Sequence, residues 1–159
     1  MGKISAGILL YRWRQSRLEV FLVHPGGPFW ARRDEGAWSI PKGEFLPGDD
    51  PLAAARREFA EETGLAADGE AVALQPIRQA GGKVVHAFAL EGDVDPAAIV
   101  SNRFTLEWPP RSGRRQEFPE VDRAGWFGLA AARQKLLPSQ HGLLDQFIAM
   151  TGPARAGTD

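Results

Sequence analysis

Three glutamates, Glu58, Glu61 and Glu62, are the residues whose type and spacing most clearly indicate chemistry. On a helix, which advances about 100° per residue, Glu62 lies about 40° to one side of Glu58 and Glu61 about 60° to the other. The three carboxylates then share one arc, although like charges four residues apart are mildly unfavourable. A divalent cation between them would relieve that repulsion, and Mg²⁺ accepts one or two carboxylates together with phosphate oxygens.

The helix that would carry these glutamates has recognisable ends. Asp49 or Asp50 can cap its N-terminus, and Pro51 suits its first turn. Residues 52–63 contain no Gly or Pro, and Gly64 fits the left-handed conformation that commonly ends a helix. The sequence therefore predicts a helix that ends close to the glutamates.

One side of this helix is apolar. Leu52, Ala55 and Phe59 share an arc beside the carboxylates, so we expect them to pack on the core. Arg57 can reach Glu61, four residues further on, and offset part of the negative charge. The alternative interpretation of the same residues is a salt-bridged acidic face in solvent, as most charge runs are.

The composition is that of a globular domain and excludes several classes of function. The 159 residues are 43% apolar and 25% charged, and the net charge is −1. A nearly neutral chain is not a general polyanion binder, so affinity for phosphate must come from a local patch. The absence of Cys excludes disulfide frameworks, thiolate zinc sites and cysteine nucleophiles. His24, His86 and His141 show no metal-ligand spacing, and we expect them to be hydrogen-bonded or exposed.

The elements around the helix are mostly strands. Before it, the sequence predicts strands over 5–11 and 18–24 joined through 12–17, a loop over 25–36, a short strand over 38–41 and a loop over 42–50. After it, the sequence predicts strands over 71–79, 83–90 and 104–108, a basic loop over 109–120, and helices over 129–137 and 139–150. This order favours an α+β fold with a mixed sheet.

We predict one domain over 1–150 and a disordered tail over 151–159. No run approaches the ~18 apolar residues of a membrane span, so we expect a soluble cytoplasmic protein that does not bind membranes.

The residues around the helix resemble the Nudix box, a pattern of Gly, five residues, Glu, seven residues, and Arg-Glu-apolar-any-Glu-Glu-any-Gly-apolar. The matching positions are Gly43, Asp49, Arg57, Glu58, Phe59, Glu61, Glu62, Gly64 and Leu65. Every spacing agrees, and one identity departs, since Asp49 stands where the family has its first Glu. The resemblance covers 43–65 and implies an α/β/α sandwich in which the box forms a loop, a helix and a second loop.

The resemblance also implies an activity. Nudix hydrolases use Mg²⁺ or Mn²⁺ to cleave a nucleoside diphosphate linked to another group. By matching positions, Glu58, Glu61 and Glu62 would hold the metal, and one of them, with Glu58 favoured, would prepare the attacking water. Arg57 would orient the glutamates.

Other box positions would shape the metal loop. Gly43 would allow the tight path of the loop, and the carbonyl of Lys42 is a further candidate ligand. Asp49, one methylene shorter than Glu, would either contact metal through water or cap the helix, with weaker occupancy of one metal site.

The stretch 38–43 resembles the Trp-x-x-Pro-Lys-Gly of diadenosine polyphosphate hydrolases. Trp38, Ser39 and Lys42 are therefore expected to bind substrate, and Arg111 and Arg115 to reach a distal phosphate chain. Glu117 and Glu120 are open alternatives for a further site carboxylate. Phe29, Trp30, Trp38 and Trp108 are candidates for base stacking or for core packing.

Diadenosine tetraphosphate is the favoured substrate. The alternatives are a nucleoside triphosphate, ADP-ribose, a nucleotide sugar, an RNA 5′ end, a nucleotide-sensing module without turnover, and a plain structural domain. No sequence-specific binding to nucleic acid is expected, and the protein would be a monomer or a homodimer.

Overall fold

The computed structural model describes residues 3–151. Its strands are β1 (Ile4–Arg14), β2 (Arg17–Pro25), β3 (Lys42–Glu44), β4 (Ala71–Ala73), β5 (Ile77–Arg78), β6 (Val84–Glu91), β7 (Arg103–Glu107), β8 (Arg115–Pro119) and β9 (Val121–Gly128). Its α-helices are α1 (Pro51–Thr63), α2 (Leu129–Lys135) and α3 (His141–Thr151), and short 3₁₀ turns span Ala80–Gly82, Pro96–Ala98 and Pro138–Gln140. Helix α3 includes Thr151, and the rest of the predicted tail, 152–159, lies outside the described residues.

The central sheet is mixed. Its order is β4-β6-β1-β2-β9, with β3 paired to β1 and β5 paired to β6. Strands β1 and β6 are parallel, whereas the other pairs in the sheet are antiparallel. Strands β7 and β8 form a separate two-stranded sheet. The α+β class and the mixed sheet are therefore confirmed.

Successive residues of a strand point to opposite sides of the sheet. Both faces of the central sheet carry buried apolar side chains, and helices cover both faces. On one face, Ile8 and Phe21 belong to the same buried cluster as Phe59 of α1. On the other face, Leu9 belongs to a cluster that includes Phe147 of α3. The layers are therefore α/β/α, with α1 on one side and α2 and α3 on the other.

The first hairpin is longer than the sequence predicts. Residues 12–17 were expected to connect two strands, but only Gln15 and Ser16, both with positive φ, form the turn. Arg12 continues β1 because its guanidinium pairs across the strands with Glu19 at 2.8 Å.

The region 109–120 is also more ordered than the predicted loop. Arg115–Pro119 forms β8, which pairs with β7 from Arg103 opposite Pro119 to Glu107 opposite Arg115. The carboxylate of Glu107 accepts the backbone N–H groups of Arg111 and Gly113 and so closes the turn.

Smaller differences concern element ends. The predicted strand over 71–79 is divided into β4 and β5, and the predicted loop over 42–50 begins with the short strand β3. The predicted helix over 139–150 begins as the 3₁₀ turn Pro138–Gln140 before α3. In the described part of the chain, no helix is long and apolar enough to cross a membrane.

Candidate active site

Helix α1 has the ends that the sequence predicts, and Asp50 supplies the cap. Its carboxylate accepts the backbone N–H of Ala53 at 2.9 Å. Asp49 is exposed in the preceding turn, so the structure decides the choice of cap in favour of its neighbour. At the other end, Gly64 has φ 73° and donates its N–H to the carbonyl of Ala60 at 2.7 Å.

The glycine of β3 makes room for Glu58. A Cβ added to Gly43 would lie 2.0 Å from Oε2 of Glu58, so only glycine allows this carboxylate to rest against the strand backbone. The side chain of Glu58 is 13% exposed, and its partner is Arg57 at 3.4 Å. The expected pairing of Arg57 with Glu61 is therefore wrong, because the guanidinium turns to the adjacent carboxylate.

Glu62 contacts β3 at Lys42, the residue before Gly43. Its Oε1 accepts the backbone N–H of Lys42 at 3.3 Å. Burial, reinforced by repulsion from Glu58, raises the pKa of Glu62 to about 8, against the opposing effects of the Lys42 amide and ammonium groups. Burial also lowers the pKa of the Lys42 ammonium.

Glu61 occupies the exposed edge of the same helix face. Burial, followed by repulsion from Glu61, raises the pKa of Glu58, and Arg57 opposes that shift. The predicted arc of carboxylates is therefore present, with two members against β3 and one toward solvent.

The donor set fits a hard divalent cation. Across residues 3–151, no three His, Asp or Glu side chains converge closely enough to form a metal cluster alone. Mg²⁺ requires fewer protein ligands, since water and substrate phosphates complete its octahedron. Glu58 and Glu62 offer carboxylate oxygens, and burial is the main cause that raises the pKa of both.

A cavity of about 200 Å³ lies beside Glu62. It is lined by Val23, Pro25, Trp30, Ala37, Ser39, Ile40, Lys42, Glu62, Glu120, Val121 and Leu137. Pockets that enclose a drug-sized ligand measure roughly 300–1,000 Å³. A ligand of that size would therefore extend from this cavity onto the surface.

Glu120, rather than Glu117, is the further carboxylate of this cavity. Its carbonyl accepts the N–H of Gly26 and its N–H donates to the carbonyl of Asn102, both at 2.9 Å. Partial burial raises the pKa of Glu120, whose charge in turn raises the pKa of Glu62. Glu117 is exposed on β8.

Ser39 is held in the cavity wall by the C-terminal part of the chain. Its hydroxyl donates to the carbonyl of Ile40 and accepts the side-chain N–H of Gln140 at 2.9 Å. Gln140 is fully buried, and its Oε1 accepts the N–H of Ile40 at 3.1 Å. The sequence offers no motif that identifies this glutamine.

The structure corrects the prediction for Trp38. Its side chain is 5% exposed, and its indole N–H donates to Asp34 at 2.8 Å. The ring packs edge-on against His24 and Phe127, so no face is open for stacking on a base. Trp30, in contrast, lines the cavity.

The structure places Arg111 and Arg115 outside the cavity lining. Arg115 lies opposite Glu107, on the strand face away from Phe104, because side chains alternate along a strand. Arg111 is exposed in the turn that follows β7. Neither arginine lines the cavity. Lys42 is the lysine among the residues that line it.

Solved structures share this fold. The NUDIX domain of Shewanella oneidensis NrtR, solved with ADP ribose, is similar with a TM-score of 0.65 and 18% identity over 95% of this chain and 89% of that one. A Caenorhabditis elegans Ap4A hydrolase gives 0.61 and 22%, over 94% and 97% of the two chains. The Mycobacterium smegmatis Nudix hydrolase RenU gives 0.62 and 21%, over 95% and 87%.

The family is shown by the sequence as well. No curated protein matches the chain significantly. The model of the NUDIX domain, however, matches residues 1–147. Together with the loop, helix and carboxylates described above, this match means that the chain belongs to the NUDIX hydrolase family.

Proposed function

We propose that the chain is a divalent-metal-dependent pyrophosphohydrolase whose substrate is a dinucleoside polyphosphate such as diadenosine tetraphosphate. The observation that carries the proposal is the placement of Glu58 and Glu62 against the backbone of β3, next to a cavity that Glu62 and Lys42 line. Buried like charges are costly unless a cation joins them, and a diphosphate needs the same cation.

Glu58, Glu61 and Glu62 would hold Mg²⁺ or Mn²⁺, with the carbonyl of Lys42 as a further ligand. When bound, the metal neutralises the diphosphate and lowers the pKa of coordinated water. Positioning and charge stabilisation of this kind account for most of phosphoryl-transfer catalysis.

The protein groups have separate parts in this scheme. Glu58 accepts the proton of the attacking water, and Arg57 holds that carboxylate in place from 3.4 Å. Glu120, across the cavity, is the second candidate for the base. The ammonium of Lys42 binds a phosphate oxygen as a point charge.

The shape of the cavity suits one end of a long substrate. Trp30 offers an aromatic surface for a base, an interaction worth about 1–3 kcal/mol. The remaining phosphates and second nucleoside would lie outside, since the enclosed volume is about 200 Å³. The stretch 38–43 supports the choice of a dinucleoside polyphosphate over the other substrates of the family.

A substrate panel with Mg²⁺ tests this proposal. Diadenosine tetraphosphate, a nucleoside triphosphate, ADP-ribose, a nucleotide sugar and RNA with a 5′ triphosphate are incubated with wild type and with Glu62→Gln. We expect ATP and AMP from diadenosine tetraphosphate with the highest kcat/KM, and little product with the variant. A higher kcat/KM for another substrate would overturn the choice of substrate, and binding without any turnover would favour a nucleotide sensor.

A further inference from the structure

His24 is a fully buried side chain that the proposed chemistry does not use. It lies between Val23 and Pro25, which both line the cavity. Its Nδ1 is 2.8 Å from Oδ1 of Asp122, and its Nε2 is 2.6 Å from the carbonyl oxygen of Arg33. The ring therefore bridges the side chain of Asp122 and the backbone of Arg33.

The two acceptors belong to different parts of the cavity wall. Arg33 closes a turn on Trp30, because its N–H donates to the Trp30 carbonyl at 3.0 Å and its guanidinium lies 5.7 Å from the centre of that ring. Asp122 follows directly after Glu120 and Val121, which line the cavity. One imidazole therefore joins the loop of Trp30 to the segment of Glu120.

We propose that His24 is a positioning residue that fixes these two parts of the wall relative to each other and thereby sets the affinity for substrate. The effect on KM rests on the proposed function, whereas the placement of Trp30 does not.

The ring of His24 is held by neighbours from two sides. Asp122 and Arg123 face it from β9, and Arg33 and Asp34 belong to the loop on its other side. The guanidinium of Arg123 lies 5.3 Å from the ring of Trp38, which packs edge-on against His24. Asp122 is therefore the carboxylate in direct contact with the ring, and Asp34 is engaged by Trp38 and Lys135.

The variant His24→Phe tests the inference because it keeps an aromatic ring in the core and removes both hydrogen bonds. Loss of one or two hydrogen bonds is expected to raise KM for the nucleotide about tenfold, with kcat changed less than about twofold. His141→Phe is the matched control, since Nε2 of His141 is buried without a hydrogen-bond partner. We expect wild-type kinetics from the control.

A nuclear magnetic resonance measurement separates this inference from the proposed function. We expect the indole N–H signal of Trp30, assigned with Trp30→Phe, to shift in His24→Phe, while the signal of Trp126, bonded to the carbonyl of Val94, stays in place. An unmoved Trp30 signal in a folded variant would overturn the inference. Absence of hydrolysis in wild type would count against the proposed function and leave this readout intact.

If His24→Phe does not fold, the variant Asp122→Asn provides the test. The asparagine keeps the shape of the contact and removes its charge, so we expect a KM about threefold above wild type and a smaller shift of the Trp30 signal. A wild-type KM in Asp122→Asn would overturn the inference.

Discussion

The two sides of the cavity are built in different ways. On the side of α1, the carboxylates are placed by contacts between residues that are close in the sequence. Glu58 lies against Gly43, and Glu62 contacts Lys42, which is 20 positions away. On the opposite side, His24 meets Asp122 across 98 positions, and Ile40 meets Gln140 across 100. The carboxylates are therefore placed by contacts within one short segment, whereas the opposite wall of the cavity depends on contacts between distant parts of the chain.

This difference suggests that the two sides of the cavity have separate roles. The local segment would supply the reaction common to the family, and the assembled wall would set the choice of substrate, because function depends on the site rather than on the fold. These separate roles can be tested by changing the same chemical group on each side. Changes on the α1 side should reduce kcat, and changes on the opposite side should act mainly on KM.

The largest effect is expected when a carboxylate of the α1 side is neutralised. Glu62→Gln should lower kcat/KM about 10³-fold, mainly through kcat, since the proposed metal ligand and its charge are lost, whereas Glu120→Gln should lower kcat/KM about tenfold. Glu117→Gln is the control, because that residue lies on β8 and does not line the cavity. Steady-state assays with Mg²⁺ measure all three, and equal losses at Glu62 and Glu120 would erase the distinction between the two sides.

A smaller loss should follow from filling the space beside Glu58. Gly43→Ala places a methyl group 2.0 Å from Oε2 of Glu58, so the carboxylate of Glu58 must move. We expect kcat to fall about 10²-fold, since misplacement of a catalytic group by about 1 Å is costly. Gly128→Ala, whose added Cβ would meet no atom within 4 Å, should remain active. Unchanged kcat in Gly43→Ala would show that Glu58 does not need this position.

The pH dependence of stability tests the burial of Glu62. Its pKa rises from 4.5 to about 8 on folding. Between these values the unfolded chain is ionised while the folded protein keeps the proton, so the free energy of unfolding falls as pH rises and levels off above about pH 8. Below both values the carboxyl is protonated in both states and has no effect.

In metal-free buffer, the Tm of Glu62→Gln should therefore be higher than that of wild type at pH 8.5 and equal to it at pH 4. We expect a difference of about 1–2 kcal/mol, reduced from the full shift by partial exposure, or about 3–6 °C in Tm. Thermal melts in EDTA measure it. A variant that is less stable than wild type at pH 8.5 would mean that burial of the ionised Glu62 carboxylate does not destabilise the folded protein.

The smallest effect separates two neighbouring aspartates. Asp50→Ala removes the cap of α1 and should cost about 1 kcal/mol in the free energy of unfolding. Asp49→Ala should change it by less than about 0.5 kcal/mol, because the residue is exposed in the turn. Urea titrations of both variants measure the difference. A larger loss in Asp49→Ala would mean that the cap has been placed on the wrong residue.

The sequence could predict what local chemistry determines. Pro51 and Gly64 set the ends of α1, and the helical spacing of Glu58 and Glu62 places both on the side of β3. The partner of Arg57 was mispredicted because two carboxylates lay within reach and helical spacing alone does not choose between them.

The rest depends on contacts between distant residues. Trp38 is buried because Phe127 and His24 enclose it, and a sequence pattern does not show which tryptophan meets such neighbours. Glu120 joins the cavity because Gly26 and Asn102 hold its backbone, a choice over Glu117 that no spacing indicates.

The most direct test of the central claim is a titration with Mn²⁺ followed by nuclear magnetic resonance. Paramagnetic broadening should appear first at the backbone amides of Lys42, Gly43 and Glu62, leave α3 unaffected, and disappear when Glu58 and Glu62 are both changed to Gln. Broadening that persists in the double variant, or that begins at another acidic segment such as 91–95, would contradict a metal site between β3 and α1.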